Sequence, residues 1–197
     1  MNLTKLFETQ KLLDERIVKE KGLEGQDLLP EKILALLTEL GELSNEWQGF
    51  KFWKENKEPR TLCPLCKGTG HCHYSGYANP MEPCSECGGY PFTINPLLEE
   101  YVDCLHFALS IGIEHDFTKF VKWLEVKPLK TNSIVEQFNA LFKADWEFYE
   151  EGNEGHYHEG LELLIGLGAM LGFSWDDVET AYYEKNKINH SRQENNY

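Results

Sequence analysis

The sequence predicts an all-α helical bundle, and three features of the 197-residue chain support this prediction. Apolar side chains recur at helical spacing in several long segments, and no segment shows the two-residue alternation of a strand. Prolines and capping residues stand where helices would begin. A cysteine-rich stretch without helical periodicity interrupts this pattern. We therefore expect a helical core that carries a small insert between its second and third helices.

The first two predicted helices lie on the N-terminal side of this insert. Residues 1–20 form an amphipathic stripe of leucine, phenylalanine and isoleucine that also includes Gln10 and Asp14. Because both polar residues lie on the face that should be buried, each needs a hydrogen-bond partner. The second helix begins near Pro30, a favourable first-turn residue, and continues to Trp47.

Four further helices are predicted after the cysteine-rich stretch. The third begins at Asn95, a capping residue that is followed by a first-turn proline. The fourth covers about 132–150 and the fifth about 157–171. Ser174 and Asp177 resemble a capping box, which predicts that the last helix starts there and runs close to the C-terminus.

Composition excludes some classes of function. The chain has 33 acidic and 19 basic residues and a net charge of −14, which disfavours the phosphate contacts that nucleic-acid binding needs. No apolar run reaches the roughly 20 residues of a membrane span, and the N-terminus lacks the apolar stretch of a signal peptide. We therefore expect a cytoplasmic protein without a membrane or nucleic-acid partner. Bound metal ions could still allow it to take an anionic nucleotide.

Two pairs of carboxylates are the strongest candidates for a metal site. Glu39 and Glu42 lie three residues apart on the second predicted helix, and Glu100 and Asp103 repeat this spacing on the third. Each pair therefore shares a helix face, where two like charges are unfavourable unless a cation lies between them. Either pair alone is most simply a solvated surface. Two pairs in otherwise apolar helices indicate an oxygen-rich cage for a hard cation such as Mg²⁺.

Two pairs of cysteines predict a structural zinc site. Each pair has the spacing C-x-x-C, and 17 residues separate the pairs, as in structural zinc sites. Four thiolates would close a tetrahedral Zn²⁺ site with no open position for catalysis. Cys72, His71 and His73 are further ligands that could replace one of them. The predicted ligands are Cys63, Cys66, Cys84 and Cys87.

The carboxylate pairs resemble the metal signature of the all-α NTP pyrophosphatase superfamily, and the chain is most similar to its dimeric dUTPase family. That signature is E-x-x-E followed by E-x-x-D on the next helix, which leaves Glu99 as a neighbour that does not bind metal. The resemblance implies a homodimer, more than one Mg²⁺ per site, and hydrolysis of dUTP in nucleotide pool sanitation, with dUDP as a further substrate. Glu46, one turn beyond Glu42, could act as a base, as an outer-shell ligand, or lie at the surface.

The resemblance also implies residues that bind the base. In the family, an amide on the first helix reads the edge of uracil, and Gln10 beside Asp14 lies in the matching sequence context. A side-chain amide offers both a donor and an acceptor, as this edge requires. A buried glutamine satisfied within the protein is the alternative. His106, three residues after Asp103, could line the base pocket or be a core histidine.

Basic residues in two segments are candidates for phosphate binding. Lys51 and Lys54 belong to a basic aromatic segment that resembles one in the family. The C-terminal segment KNKINHSRQ resembles the family's K-N-x-x-N-x-x-R-Q and places Lys185, Asn189 and Arg192 on one helix face. An ammonium, an amide and a guanidinium fork together suit a polyphosphate. Without the carboxylate pairs, a polar helix end would explain this segment as well.

The predicted insert is where the chain departs from the family. Fifty-seven residues separate the two carboxylate pairs, and removing residues 59–91 leaves 24, the usual distance in the family. We therefore expect a pyrophosphohydrolase core of residues 1–58 and 93–197 and a zinc-binding insert of residues 59–92. Two alternatives remain open. The substrate could be another nucleotide such as dCTP, or the chain could be a zinc-dependent adaptor without catalysis.

Overall fold

Six α-helices build the part of the chain that the computed structural model describes, which comprises residues 2–57, 59, 95–119, 126–147 and 155–194. These ranges contain no strand, and the all-α prediction is confirmed. None of the described helices is long and apolar enough to cross a membrane. The helices are α1 (Leu3–Lys21), α2 (Leu29–Trp47), α3 (Pro96–Glu114), α4 (Ile134–Lys143), α5 (Gly155–Met170) and α6 (Trp175–Glu194).

Capping residues set several helix ends where the sequence predicts them. The Asn95 side chain accepts a hydrogen bond from the backbone N–H of Leu98 at 3.4 Å. Ser174 does the same for the N–H of Asp177 at 3.2 Å, which confirms both predicted helix starts. Helix α1 ends where Gly22 adopts the left-handed conformation, with φ of 65°, which glycine tolerates without strain.

Helix α4 is shorter than the predicted range of 132–150. It ends at Lys143, because Ala144 has extended backbone angles. The chain then turns Trp146 into the core, where its indole N–H donates to the Leu141 carbonyl at 3.2 Å. Burial of this large aromatic side chain stabilises the turn more than a continued helix would. The cysteines and histidines predicted to bind zinc lie outside the described residues.

Helix α3 is the centre of the bundle. Eleven of its nineteen residues are buried, and it packs against α1, α2, α5 and α6. Its most extensive contact is with α2. The apolar face of α3 therefore fixes its rotation, and its carboxylates lie where α2 and α6 approach it.

We predict that Gly112→Ala destabilises the fold by about 2 kcal/mol. A Cβ at this position of α3 would overlap the buried Tyr157 hydroxyl and would lie 2.9 Å from a ring carbon of Phe7. The Tyr157 hydroxyl cannot easily move, because it donates to the Ala108 carbonyl at 2.8 Å. Urea unfolding measures the loss.

Gly41→Ala is the matched control, since a Cβ there meets no atom within 4 Å. Alanine should stabilise this half-buried position of α2 by up to about 1 kcal/mol through helix propensity. Equal effects of the two substitutions would contradict the packing described for Gly112.

Candidate active site

Three of the four predicted metal-binding carboxylates lie together between α2 and α3. Glu39, Glu42 and Glu100 each offer an oxygen atom, and these atoms all lie within 4.8 Å of one another. Glu39 and Glu100 are half-buried, while Glu42 is exposed. The close packing of α2 on α3 holds these like charges together, as the sequence predicts for a cation site.

The fourth carboxylate is paired with a lysine of α6. The Lys185 ammonium lies 2.6 Å from Asp103 Oδ2 and 3.0 Å from Glu99 Oε1. The side chains of Lys185 and Asp103 retain only 11% and 17% of their exposure, so this ion pair is largely shielded from water. Lys185 therefore brings a positive charge to the edge of the carboxylate cluster, and Glu99 binds this lysine.

The electrostatics of the cluster favour a cation. Burial, reinforced by the neighbouring carboxylates, raises the pKa of Glu39 to about 7 and the pKa of Glu100 to about 7. Burial also raises the pKa of Asp103, although Lys185 opposes this shift. Burial and the neighbouring negative charges thus disfavour the ionised forms, which a bound cation would favour. The all-oxygen donor set fits Mg²⁺, which prefers carboxylate ligands.

The remaining predicted residues on and after α2 do not join this cluster. Glu46 is not among the three grouped carboxylates. The Lys51 ammonium donates to the Asn45 carbonyl at 3.2 Å, and the Lys54 ammonium donates to the Gln48 side chain at 2.7 Å. Both lysines therefore make local contacts in this segment.

Gln10 lies at the centre of a buried polar network one helical turn along α3 from Asp103. Its carbonyl oxygen lies 2.7 Å from His106 Nδ1 and accepts from the Tyr182 hydroxyl at 2.9 Å. Its amide nitrogen donates to Asp14 at 2.7 Å. Asp14 in turn accepts from Ser110 at 2.5 Å. The two polar residues on α1 therefore bond to each other and to side chains of α2, α3 and α6.

His106 is the one member of this network with an unused polar atom among the described residues. Its Nε2 is buried and has no hydrogen-bond partner there. The ring stacks on Tyr182 with a centroid distance of 4.2 Å and an interplanar angle of 16°. Burial, together with the charge of Lys185, lowers the pKa of His106 to about 3, so the ring is neutral.

The C-terminal segment continues from the ion pair of Lys185 along α6. Arg192 lies near Asn189, with 3.4 Å between its Nη1 and the amide oxygen. The exposed Arg192 guanidinium adds to the charge of Lys185, which lowers the pKa of Asp103 against the effect of burial. Both basic residues of the predicted phosphate-binding face therefore act on the same carboxylate.

Two buried α6 residues are not among the predicted site residues, although one of them belongs to the segment KNKINHSRQ. Tyr182 and Asn186 are buried one turn apart, and the Asn186 amide nitrogen has no hydrogen-bond partner within the described ranges. Helical spacing from Val178 through both residues marks the inward face of α6 and could have revealed them. An unpaired amide on that face is a further candidate to contact the substrate.

A comparison with protein families places this chain in one of them. A family model described as dUTPase matches residues 2–63 and 91–197, which is more than half of the chain. The match leaves out residues 64–90, within the segment predicted to be an insert. The division at residues 59–92 itself stays a prediction. No curated protein matches the chain.

We predict that Glu39→Gln stabilises the magnesium-free chain at about pH 8, and that this gain disappears near about pH 5. The folded chain retains a proton on Glu39 up to about pH 7, whereas the unfolded chain releases it near its ordinary pKa of about 4.5. Wild-type stability is therefore lost as the pH rises through this window. We expect a gain of about 1 kcal/mol, allowing for solvent screening at a half-exposed group.

Urea unfolding at both pH values measures this difference, with exposed Glu24→Gln as the control. A gain that is the same at both pH values would contradict the crowding of charge described for this site.

Proposed function

The chain belongs to the all-α dUTPase family, and on that premise we propose that its two carboxylate pairs bind Mg²⁺ for the hydrolysis of dUTP and dUDP. Membership makes the chain a nucleoside triphosphate diphosphatase of the dUTP diphosphatase type. One observation carries the magnesium proposal. Oxygen atoms of Glu39 and Glu42 on α2 and of Glu100 on α3 all lie within 4.8 Å of one another, an arrangement that a bound cation would favour.

Four carboxylates would hold the metal. Glu39, Glu42, Glu100 and Asp103 offer more oxygen ligands than the one or two carboxylates that a single Mg²⁺ usually takes, which favours more than one ion. When bound, Mg²⁺ would neutralise phosphate charge and activate a water molecule for in-line attack. Glu46 lies one turn from Glu42 and is the candidate to orient this water. Hydrolysis of dUTP would give dUMP and pyrophosphate, and hydrolysis of dUDP would give dUMP and phosphate.

Basic residues of α6 would bind the phosphates. Lys185 lies 2.6 Å from Asp103, so a phosphate oxygen beside this carboxylate would be within reach of its ammonium. Arg192 and Asn189 follow on the same helix and supply a guanidinium fork and an amide. Lys51 and Lys54 stay candidates, because reorientation of their long side chains could bring them to the substrate.

Gln10 supports uracil over cytosine as the base. Its carbonyl oxygen already lies within hydrogen-bond distance of His106 and Tyr182, so it has no free lone pair for the amino group of cytosine. Its amide nitrogen uses one hydrogen for Asp14 and keeps one. That remaining donor matches O4 of uracil, whereas cytosine has an amino group, itself a donor, at the same position. This argument favours dUTP over the alternative substrate dCTP.

Three further properties are proposals that follow from the sequence and the family. They are assembly as a homodimer, a cytoplasmic location, and structural zinc in the insert of residues 59–92. The family match favours an enzyme over a zinc-dependent adaptor. The zinc ligands lie outside the described residues, and one zinc ion per chain in the purified protein would support that site.

We predict that loss of any one carboxylate ligand lowers kcat for dUTP by at least about 100-fold, because each substitution removes a ligand from the magnesium site. The variants are Glu39→Gln, Glu42→Gln, Glu100→Gln and Asp103→Asn. Pyrophosphate release in the presence of Mg²⁺ measures turnover, with Glu24→Gln as the control.

The same assay tests which base the enzyme prefers. The kcat/KM of wild type for dUTP should exceed its kcat/KM for dCTP by at least about 100-fold. Retention of more than a tenth of wild-type turnover by two carboxylate variants would refute the magnesium assignment. A panel led by dCTP would refute the assignment of the base.

We predict that Arg192→Lys lowers kcat/KM for dUTP by about tenfold, although it keeps the charge. A lysine replaces the bidentate guanidinium fork by a single point donor. Lys187→Ala on the same helix is the control, since Lys187 is exposed and has no described contact with the carboxylates. Steady-state kinetics measures both variants, and equal kinetics of Arg192→Lys and wild type would exclude guanidinium recognition of the phosphates.

A further inference from the structure

A directed chain of hydrogen bonds begins at Asp14. Its carboxylate can only accept, and it receives the Gln10 amide N–H at 2.7 Å and the Ser110 hydroxyl at 2.5 Å. The Lys32 ammonium lies 3.4 Å away and keeps a positive charge beside it. Because a carboxylate would repel the amide oxygen, Asp14 fixes which end of the Gln10 amide points towards it.

The orientation of Gln10 determines where His106 carries its proton. With its nitrogen held by Asp14, Gln10 turns its carbonyl oxygen to His106 Nδ1 at 2.7 Å and to the Tyr182 hydroxyl at 2.9 Å. A carbonyl oxygen can only accept, so both groups must donate. The neutral imidazole therefore has its proton on Nδ1 and a bare lone pair on Nε2.

This lone pair lacks a partner within the described part of the chain. His106 Nε2 is buried, and an unpaired buried polar atom is costly. The ring cannot easily turn, because it stacks on Tyr182 at 4.2 Å. His106 lies one helical turn beyond Asp103, whose partner Lys185 also acts electrostatically on the ring. A substrate with its phosphates beside Asp103 and Lys185 would therefore place its nucleoside part near this residue.

We propose that Asp14, acting through Gln10, fixes His106 as an acceptor that binds a hydrogen-bond donor on the nucleoside part of the substrate. His106 contacts the substrate, whereas Asp14 is a positioning residue. Deoxyuridine offers two such donors, the imide N3–H of the base and the 3′-hydroxyl of the sugar. The identity of the nucleoside rests on the proposed function, but the fixed tautomer rests on the hydrogen bonds alone.

Nitrogen-15 NMR of the nucleotide-free protein tests the tautomer. The chain has 7 histidines, and a His106→Gln variant assigns the signal of interest. We expect Nδ1 to be protonated and Nε2 to be bare in wild type. In Asp14→Asn the new amide can pair with either end of Gln10, so both tautomers should appear.

Asp116→Asn is the matched control, because Asp116 lies just beyond α3 and pairs only with exposed Lys119 among the contacts described. It should leave the tautomer unchanged. Circular dichroism checks that each variant is folded, and the wild-type spectrum alone is decisive if Asp14→Asn does not fold. A proton on Nε2 in wild type, or an unchanged tautomer in folded Asp14→Asn, would overturn the proposal.

Substrate analogues then identify the donor. N3-methyl-dUTP lacks the imide hydrogen, and 2′,3′-dideoxyuridine triphosphate lacks the sugar hydroxyl. With the wild-type enzyme, kcat/KM for one of these analogues should be at least about tenfold lower than for dUTP. In Asp14→Asn, the ratio of kcat/KM for dUTP to that for this analogue should be smaller than in wild type. Turnover of both analogues at the rate of dUTP would overturn the substrate contact. Absence of all dUTP turnover, with the Nδ1 tautomer present, would refute the proposed function and still support the positioning role of Asp14.

Discussion

The packing of α2 on α3 holds carboxylates closer together than their charges favour, and the rest of the site depends on this constraint. The apolar face of α3 is buried in the bundle core, so the helix cannot rotate to separate Glu100 from Glu39. The hydrophobic free energy of that core opposes the repulsion between these groups. A divalent cation would remove the repulsion, and the affinity of the site for metal would therefore derive partly from the fold.

Helix α3 also separates a charged half of the site from a neutral half. Glu100 and Asp103 face α2 and Lys185, where a metal and phosphates would carry the charge. One turn further, His106 is neutral and, like the Tyr182 hydroxyl, bonds to the uncharged amide of Gln10. A nucleotide likewise has charged phosphates at one end and an uncharged base at the other. Residues of one helix could therefore contact both ends of the substrate.

Much of this architecture follows from local sequence. Helical periodicity and capping residues predict the helices, and the spacing of the carboxylates predicts three members of the carboxylate cluster. Other features depend on contacts between residues far apart in the chain. Helix α4 ends early because Trp146 is buried in the core, and Ser110 meets Asp14 across 96 positions of sequence. Periodicity shows which face is buried, but it cannot show which partner from another helix will meet that face.

The central claim is that carboxylates of α2 and α3 bind Mg²⁺ for hydrolysis of the nucleotide. Calorimetric titration with Mg²⁺, in the presence of a non-hydrolysable α,β-imido analogue of dUTP, tests it without relying on turnover. Wild type should show saturable binding, and Glu100→Gln should weaken the affinity by at least about tenfold, because one carboxylate ligand is lost. Equal affinities in a folded Glu100→Gln variant and in wild type would contradict the assignment of the metal site.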